Sequence, residues 1–264
     1  MPVAKHGVSA DSADRLLVDA GAVYLNFYDV DYPGTLLGAT RGGNTFELTR
    51  TIRRIEADGM RGPVKGFRRI EEVLAKLTVN LLEMTAENVR RALVGATYIS
   101  GTTQVTDEAV GTGDGVTKDF TLAQKPIWEN TVTIAVVDRP AQVELADYVL
   151  DKRSGALHFI VAPENLKAIT ATYKYVSASA VIAASEPVMG IMPATAFLDN
   201  VVLVGTISGK TNPVIVKLQN VICDQAFSLG MAPKDEAVLA LSFSAHYTNT
   251  DLASEPWTVE YPAS

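Results

Sequence analysis

Residues 73–81 read VLAKLTVNL, and this stretch decides the fold class because every second side chain in it is apolar. Side chains that recur with a period of two face one side of an extended strand. The same alternation runs through residues 46–52 (FELTRTI) and, most regularly, through residues 237–247 (AVLALSFSAHY). Further predicted strands are residues 23–27, 197–207 and 214–229. The sequence therefore predicts a mainly β protein, a sandwich or barrel with one buried face.

One short α-helix is predicted to pack on these strands. Thr85 is a preferred N-cap residue, and Glu87 places a negative charge in the first turn, where the helix dipole favours it. Gly95 is predicted to end the helix. The apolar stripe that would contact the sheet consists of Ala86, Val89 and Leu93.

Residues 107–177 are predicted to form a small β-sandwich inserted into the larger domain. The larger domain would then be discontinuous and consist of residues 1–106 and 178–264. Turn-forming residues separate five short strand patterns in the insertion, as is typical of small sandwiches. The patterns are residues 120–122, 132–136, 148–150, 157–161 and 169–175. The small residues at 177–185 are predicted to form a linker that returns to the larger domain.

Composition narrows the class of protein. The chain has 264 residues, of which 47% are hydrophobic and 20% charged, with a formal net charge of −7. No stretch approaches the roughly 20 consecutive apolar residues that span a bilayer, so we expect no membrane partner. Cys223 is the only cysteine, which excludes an intrachain disulfide and fits assembly in a reducing cytoplasm. We expect Cys223 to be a small buried apolar side chain.

The sequence contains no recognisable catalytic, cofactor-binding or metal-binding pattern. His6, His158 and His246 lack metal-ligand spacing. The glycine run at residues 111–115 lacks the Gly-Lys-Ser/Thr ending of a phosphate loop. Catalytic groups can also converge from distant parts of a chain, so the missing motifs are weak evidence alone. We expect a protein that is not an enzyme and that binds no cofactor or metal.

A cluster of basic residues interrupts this acidic chain. Residues 50–69 carry seven basic and two acidic side chains, a local charge of +5, whereas residues 177–264 carry eight acidic and three basic ones, a charge of −5. A solvated loop is one interpretation. Nucleic-acid binding is another, although Phe67 is the only aromatic residue available for stacking. The third is self-association, in which the basic face of one subunit meets the acidic face of the next. The basic residues are Arg50, Arg53, Arg54, Arg61, Lys65, Arg68 and Arg69.

Three motifs in a fixed order carry a resemblance to a known family. They are residues 38–46 (GATRGGNTF), 53–66 (RRIEADGMRGPVKG) and 75–89 (AKLTVNLLEMTAENV). In this order they resemble the major tail tube protein of long-tailed bacteriophages. The resemblance covers about residues 1–100 and 178–264, and the motifs are moderately specific. Residues 107–177 resemble a small β module that recurs in phage structural proteins.

The resemblance implies a structural role in a phage tail. Subunits of this family form hexameric rings that stack head to tail into a hollow tube, with strands of each subunit in a continuous inner barrel. DNA passes through the lumen without specific binding. The implied partners are other copies of the chain and the tape-measure, terminator and distal tail proteins. The implied location is the virion tail, assembled in the cytoplasm of the bacterial host.

Two other functions remain open at this point. The insertion at 107–177 could be the recognition domain of a virion protein that binds a receptor or carbohydrate. That alternative needs exposed aromatic side chains, although alternation places Tyr173 and Tyr175 on the face of Ile169, which favours core packing. A hydrolytic phage enzyme is the third possibility. The candidate aromatic residues are Trp128, Tyr148, Tyr173 and Tyr175.

Overall fold

A computed structural model describes residues 16–17, 21–93, 96–183, 192, 194–224, 228 and 236–262. The predicted mainly β fold with one short α-helix is confirmed for these residues. The helix is α1 (Ala86–Ala92), and a 3-10 turn covers Ala194–Ala196. The strands are β1 (Ala22–Leu25), β2 (Thr35–Leu36), β3 (Thr40–Arg54), β4 (Arg68–Leu81), β5 (Thr97–Thr112), β6 (Asp119–Thr121), β7 (Thr133–Val136), β8 (Tyr148–Asp151), β9 (Ala156–Phe159), β10 (Ala168–Ala183), β11 (Leu198–Gly205), β12 (Val214–Cys223), β13 (Leu239–Ser244) and β14 (Trp257–Glu260).

The largest sheet is antiparallel and runs in the order β2-β1-β11-β12-β13-β4-β3. Strand β12 joins its two halves. Residues Ile215 to Leu218 of β12 pair with β14, and Ile222 and Cys223 pair with β13. One apolar cluster, which draws on β1, β4, β11, β12 and β13, fills the interior of this part of the chain. The predicted burial of Cys223 is confirmed, since it is 4% exposed in that cluster.

The period-two pattern that predicts β4 and β13 corresponds to the buried face of both strands. Leu77 of β4 lies opposite Phe243 of β13, and both are fully buried. The expectation that β13 has only one buried face is wrong, because Ser242 and Ser244 are also buried. The Ser244 hydroxyl donates to the Asp224 carboxylate over 2.6 Å, which satisfies a polar group in a strand flanked on both sides.

Helix α1 begins as predicted but buries a different face. The Thr85 hydroxyl accepts a hydrogen bond from the Asn88 backbone amide over 3.2 Å, which confirms the N-cap. Ala86 is exposed, so the predicted stripe is wrong at that position, and the buried residues are Asn88 and Ala92. The Asn88 carboxamide donates to the backbone oxygens of Leu37 and Glu83, and these bonds fix which face turns inward. Gly95 lies outside the described residues.

The inserted region has its own apolar cluster between two three-stranded sheets. Their orders are β5-β10-β7 and β6-β9-β8. Tyr173, Phe159, Leu150 and Ile134 are all fully buried there. The five predicted strands are present, four of them at bounds within two residues of the prediction, whereas β10 continues eight residues past the predicted end. Strand β5 is a sixth strand of this region that the sequence patterns did not predict.

Strands β5 and β10 cross the predicted boundaries of the insertion. They pair from Ala168 with Thr112 to Ala183 with Thr97. The expected linker at 177–185 is therefore wrong as far as Ala183, where the chain is still a strand. Small side chains there fit a bulge, in which residues 177–180 face only Gly101. The proposed domain limits of 106 and 178 stay a prediction.

Because each region has its own apolar cluster, we expect a core substitution in one region to destabilise mainly that region. We expect Leu241→Ala, in the large sheet, and Leu150→Ala, in the inserted region, each to cost about 2–5 kcal/mol, because both side chains are fully buried. Amide hydrogen exchange should show faster exchange mainly in β4 and β13 for Leu241→Ala, and mainly in β8 and β9 for Leu150→Ala. Identical exchange patterns in the two variants would mean that the clusters unfold as one unit.

Candidate subunit interface

Strands β3 and β4 form a hairpin whose outer half extends away from the core. Phe46 lies opposite Leu77 at the base, and Arg54 lies opposite Arg68 near the tip. At about 3.3 Å per residue, the eight steps from Phe46 to Arg54 span roughly 26 Å. Leu77 is fully buried, whereas every residue from 63 to 72 is exposed. The outer half therefore has no packing partner within the described part of the subunit.

All seven predicted basic residues lie on this outer half. Five are on the strands, and Arg61 and Lys65 are in the loop 55–67 that joins them. Arg53 is opposite Arg69, and Arg54 is opposite Arg68. Like charges directly opposite on neighbouring strands are destabilising. The five on the strands are Arg50, Arg53, Arg54, Arg68 and Arg69.

Acidic neighbours offset this repulsion only weakly. Arg53 lies 3.4 Å from Glu71, and Arg54 lies 3.4 Å from Glu56. All four side chains are at least 41% exposed. Exposed pairs of this kind contribute about 0–1 kcal/mol each. The tip therefore remains a positively charged surface, with no large contribution from its charges to the stability of the subunit.

An apolar stripe continues along the same hairpin. Ile52 and Ile70 lie opposite each other, and they are 51% and 54% exposed. The alternation of residues 46–52 groups Ile52 with Phe46 and Leu48 as one buried face. That expectation is wrong for Ile52, because the strand outruns the core while its apolar pattern continues. Val64, Phe67 and Leu74 are also exposed, by 41–43%.

The outer edge of β3 adds a third feature. Strand β3 ends the order of the large sheet, so within the described ranges its second edge pairs with no strand. Beyond the interruption near Gly42 and Gly43, where the register shifts, residues 45–54 carry backbone donors and acceptors along that edge. Both glycines have positive φ values, of 87° and 86°. A long free edge is a template for pairing with another chain.

Fewer acidic side chains of residues 177–264 are available to contact a basic hairpin than their total charge implies. Asp224 and Glu236 pair with Lys76 and Arg41 inside the subunit. Asp251, Glu255 and Glu260 are exposed in or beside β14. Trp257 of β14 lies 6.2 Å from Phe46 between ring centroids, which places β14, with Glu260 at its end, near the base of the hairpin. Glu186 and Asp235 lie outside the described residues.

The four aromatic residues considered for ligand recognition are not exposed. Tyr148 is 2% exposed and Tyr173 is fully buried. Trp128 and Tyr175 are half-buried, and the Trp128 ring packs edge-on against Tyr98 at 5.2 Å. The expected core packing of Tyr173 is therefore confirmed. The aromatic surface that a carbohydrate-binding module needs is not formed by these residues.

The described residues offer neither of two other kinds of site. No helix in those ranges is both long and apolar enough to cross a membrane. The same ranges hold no group of three or more His, Cys, Asp or Glu side chains placed to bind a metal ion.

A family model described as "Protein of unknown function UCP028589" matches residues 20–189. The match covers the hairpin, α1 and the whole inserted region. It also ends within the segment that follows β10. No curated protein matches the sequence.

Because the apolar stripe is exposed, we expect substitutions in it to have little effect on the free energy of unfolding. Ile52→Thr and Ile70→Thr should each change the free energy of unfolding by no more than about 0.5 kcal/mol, since both side chains already contact water. Val79→Thr is the matched control on the same hairpin. Val79 is fully buried, and its replacement should cost about 1–3 kcal/mol. Chemical denaturation of the dilute subunit measures all three. If either isoleucine variant lost as much free energy of unfolding as Val79→Thr, the outer half of the hairpin would be packed in the monomer.

Proposed function

The chain belongs to this family of unknown function, and we propose that it is a structural subunit of a phage tail tube. In this proposal, subunits form hexameric rings that stack head to tail around a channel for DNA. The observation that carries it is the outer half of the β3–β4 hairpin, which exposes paired isoleucines that no described residue of the same chain covers. The resemblance of residues 36–85 to tail tube proteins points the same way.

Apolar burial would supply most of the affinity between subunits. Ile52, Ile70 and Phe67 expose large side chains on one projecting element. Burying such side chains contributes about 1.5–3 kcal/mol each when the burial is complete. A neighbouring subunit that covers the hairpin would also remove the free edge of β3 from solvent. The hairpin therefore has the chemistry of an interface between copies of one chain.

Charge would set the direction of assembly. The basic tip lies roughly 26 Å from the hairpin base, near which β14 and its exposed Glu260 are found. A contact between the tip of one subunit and the acidic region of the next is heterologous. Heterologous contacts propagate into rings or filaments. Complementary charges mainly increase the association rate and suppress wrong orientations.

The proposal also covers partners and location. The tube would be part of a virion tail, would assemble in the bacterial cytoplasm, and would contact the tape-measure, terminator and distal tail proteins. DNA would pass through the lumen without specific binding. A net charge of −7 suits such a channel, because negative surfaces repel phosphates. The subunit would carry out no catalysis.

Reversing the charge of the tip tests the role of the basic residues. The variant Arg53→Glu, Arg54→Glu, Arg61→Glu should assemble more slowly than the wild type, because the attraction to an acidic neighbour becomes repulsion. Light scattering against time measures assembly. High salt should also slow the wild type, since the Debye length falls to about 3 Å at 1 M.

A matched variant separates the tip from the effect of net charge. Lys118→Glu, Arg139→Glu, Lys167→Glu changes the total charge equally, at side chains of the inserted region. It should assemble at close to the wild-type rate, and thermal melting should show that both variants remain folded. Wild-type assembly by the tip variant would identify the tip as a solvated loop. Equal slowing in both variants would attribute the effect to net charge alone.

The loop 55–67 should gain protection when subunits assemble. Its backbone hydrogen bonds in the subunit include those from Ile55 to Phe67, from Met60 to Ala57 and from Phe67 to Val64. We expect amide exchange in this loop to slow at least tenfold in the assembled state, while exchange in the buried strand β13 stays unchanged. Equal exchange of the loop in the two states would place it outside the interface.

A further inference from the structure

The inserted region meets α1 through a buried cluster of charges. Glu129, in the segment between β6 and β7, is 5% exposed. Its carboxylate accepts hydrogen bonds from Arg90 Nη2 over 2.8 Å and from Arg91 Nε over 3.0 Å. Both arginines lie at the end of α1. A carboxylate of the insertion is therefore neutralised by two cations of the larger sheet's helix.

The cluster is closed by further hydrogen bonds on the α1 side. Arg90 donates to Glu87 over 2.6 Å, and Arg91 donates to the Asn88 side chain over 2.6 Å. The Tyr98 hydroxyl, at the start of β5, donates to the second oxygen of Glu87 over 2.6 Å. Burial alone would raise the pKa of Glu129, but the charges of Arg91, Lys152 and Arg90 outweigh it and lower that pKa. The carboxylate is therefore charged at neutral pH.

The strands that connect the two regions contain a local irregularity. Val176 pairs with Thr102 and Val181 with Ser100, so that residues 177–180 lie opposite Gly101 alone. Gly101 has a φ of +79°, and a Cβ atom there would lie 2.3 Å from the Ala180 Cα. Regular strand pairing is interrupted at this point and resumes on both sides. The bulge is thus the largest of several register shifts between β5 and β10, and a bulge bends the strand that contains it.

A cavity separates the two regions beside the charge cluster. It has a volume of about 560 Å³, and its walls include α1, residues 125–127 of the insertion and the bulge at Ser177, Ala178 and Ala180. Apolar packing between the regions is therefore incomplete there. Beyond the cavity, the two regions also meet through a ring stack of Tyr32 on His158, with centroids 3.4 Å apart, an ion pair of Arg153 with Glu83, and hydrogen bonds. Asn26 donates to Glu144 over 3.0 Å, and the Lys152 amide donates to the Thr35 hydroxyl over 2.9 Å.

We propose that the Glu129–Arg90–Arg91 cluster is a latch that sets the orientation of the inserted region, and that the bulge at Gly101 and 177–180 is the hinge. Polar contacts with strict geometry hold one orientation, because a buried charge that loses its partner is strongly unfavourable. The cavity leaves room for movement once the latch opens. The inference is independent of the proposed tail-tube function, since it concerns one subunit.

The test is hydrogen exchange of the full-length subunit with Glu129→Gln. This variant keeps the shape of the side chain and removes its charge, which leaves Arg91, with an 8% exposed side chain, with Glu87 at 3.8 Å as its remaining carboxylate partner among the described residues. We expect exchange to rise about a hundredfold in α1 and in the bulge. Strands β4 and β13 of the large sheet, and β8 and β9 of the insertion, should keep their wild-type exchange.

Two more variants complete the test. Glu164→Gln makes the same chemical change in the exposed pair with Arg139, and should alter nothing. Arg90→Gln removes the more exposed arginine and should raise exchange at the same positions by a smaller factor. Unchanged exchange in Glu129→Gln would overturn the latch. So would a uniform rise in all strands, or failure of both cluster variants to fold, because the cluster would then be part of the fold itself.

Discussion

The burial of one face of β4 is the constraint on which the rest of the structure depends. Leu77, Val79 and Leu81 are fully buried, and the strand is held between β13 and β3. A one-residue slip in register would move all three to the opposite face. The register at the base of the hairpin is therefore fixed by the core. Because β3 and β4 are longer than the core is wide, the same register continues into a projecting tip.

That projection links the folding of the subunit to its proposed assembly. The tip keeps the apolar alternation of a buried strand but lies where nothing in the described part of the subunit covers it. It also brings like charges opposite each other at Arg53 and Arg69. Neither feature helps a lone subunit. Both become favourable if a neighbour covers the isoleucines and places carboxylates near the arginines.

The inserted region shows a different balance of forces. Its interior is apolar, but its contact with α1 is made by Glu129, Arg90 and Arg91. Replacing such buried clusters by apolar residues is often neutral or stabilising, so they are weak evidence of stability and better suited to specifying geometry. Two long strands carry the chain between the regions, and their one large bulge coincides with the cavity.

The sequence predicted what depends on local patterns. Alternation located β4 and β13, and the preference of Thr85 for an N-cap located the start of α1. Alternation could not locate the end of the core, which is a property of the assembled sheets, so Ile52 was expected to be buried. The small residues at 177–185 predict a linker when the local sequence is considered alone. As far as Ala183 they belong to strand β10 instead, because they pair with β5, a partner some 80 residues away that no local pattern reveals.

The cluster of Glu129, Arg90 and Arg91 could not be predicted from the sequence either, because its members come from distant parts of the chain. Arg90 and Arg91 are ordinary residues for the end of a helix, and Glu129 is 38 residues beyond Arg91. No spacing rule connects them. The charge count did locate the basic hairpin. It did not distinguish Asp224 and Glu236, which pair inside the subunit, from the exposed acids near β14.

In the proposed function, this chain assembles with copies of itself. Negative-stain electron microscopy of the purified protein, over a range of concentration and salt, tests it most directly. The account predicts sixfold rings or hollow tubes at low salt and high concentration. Discrete monomers under every condition would contradict it.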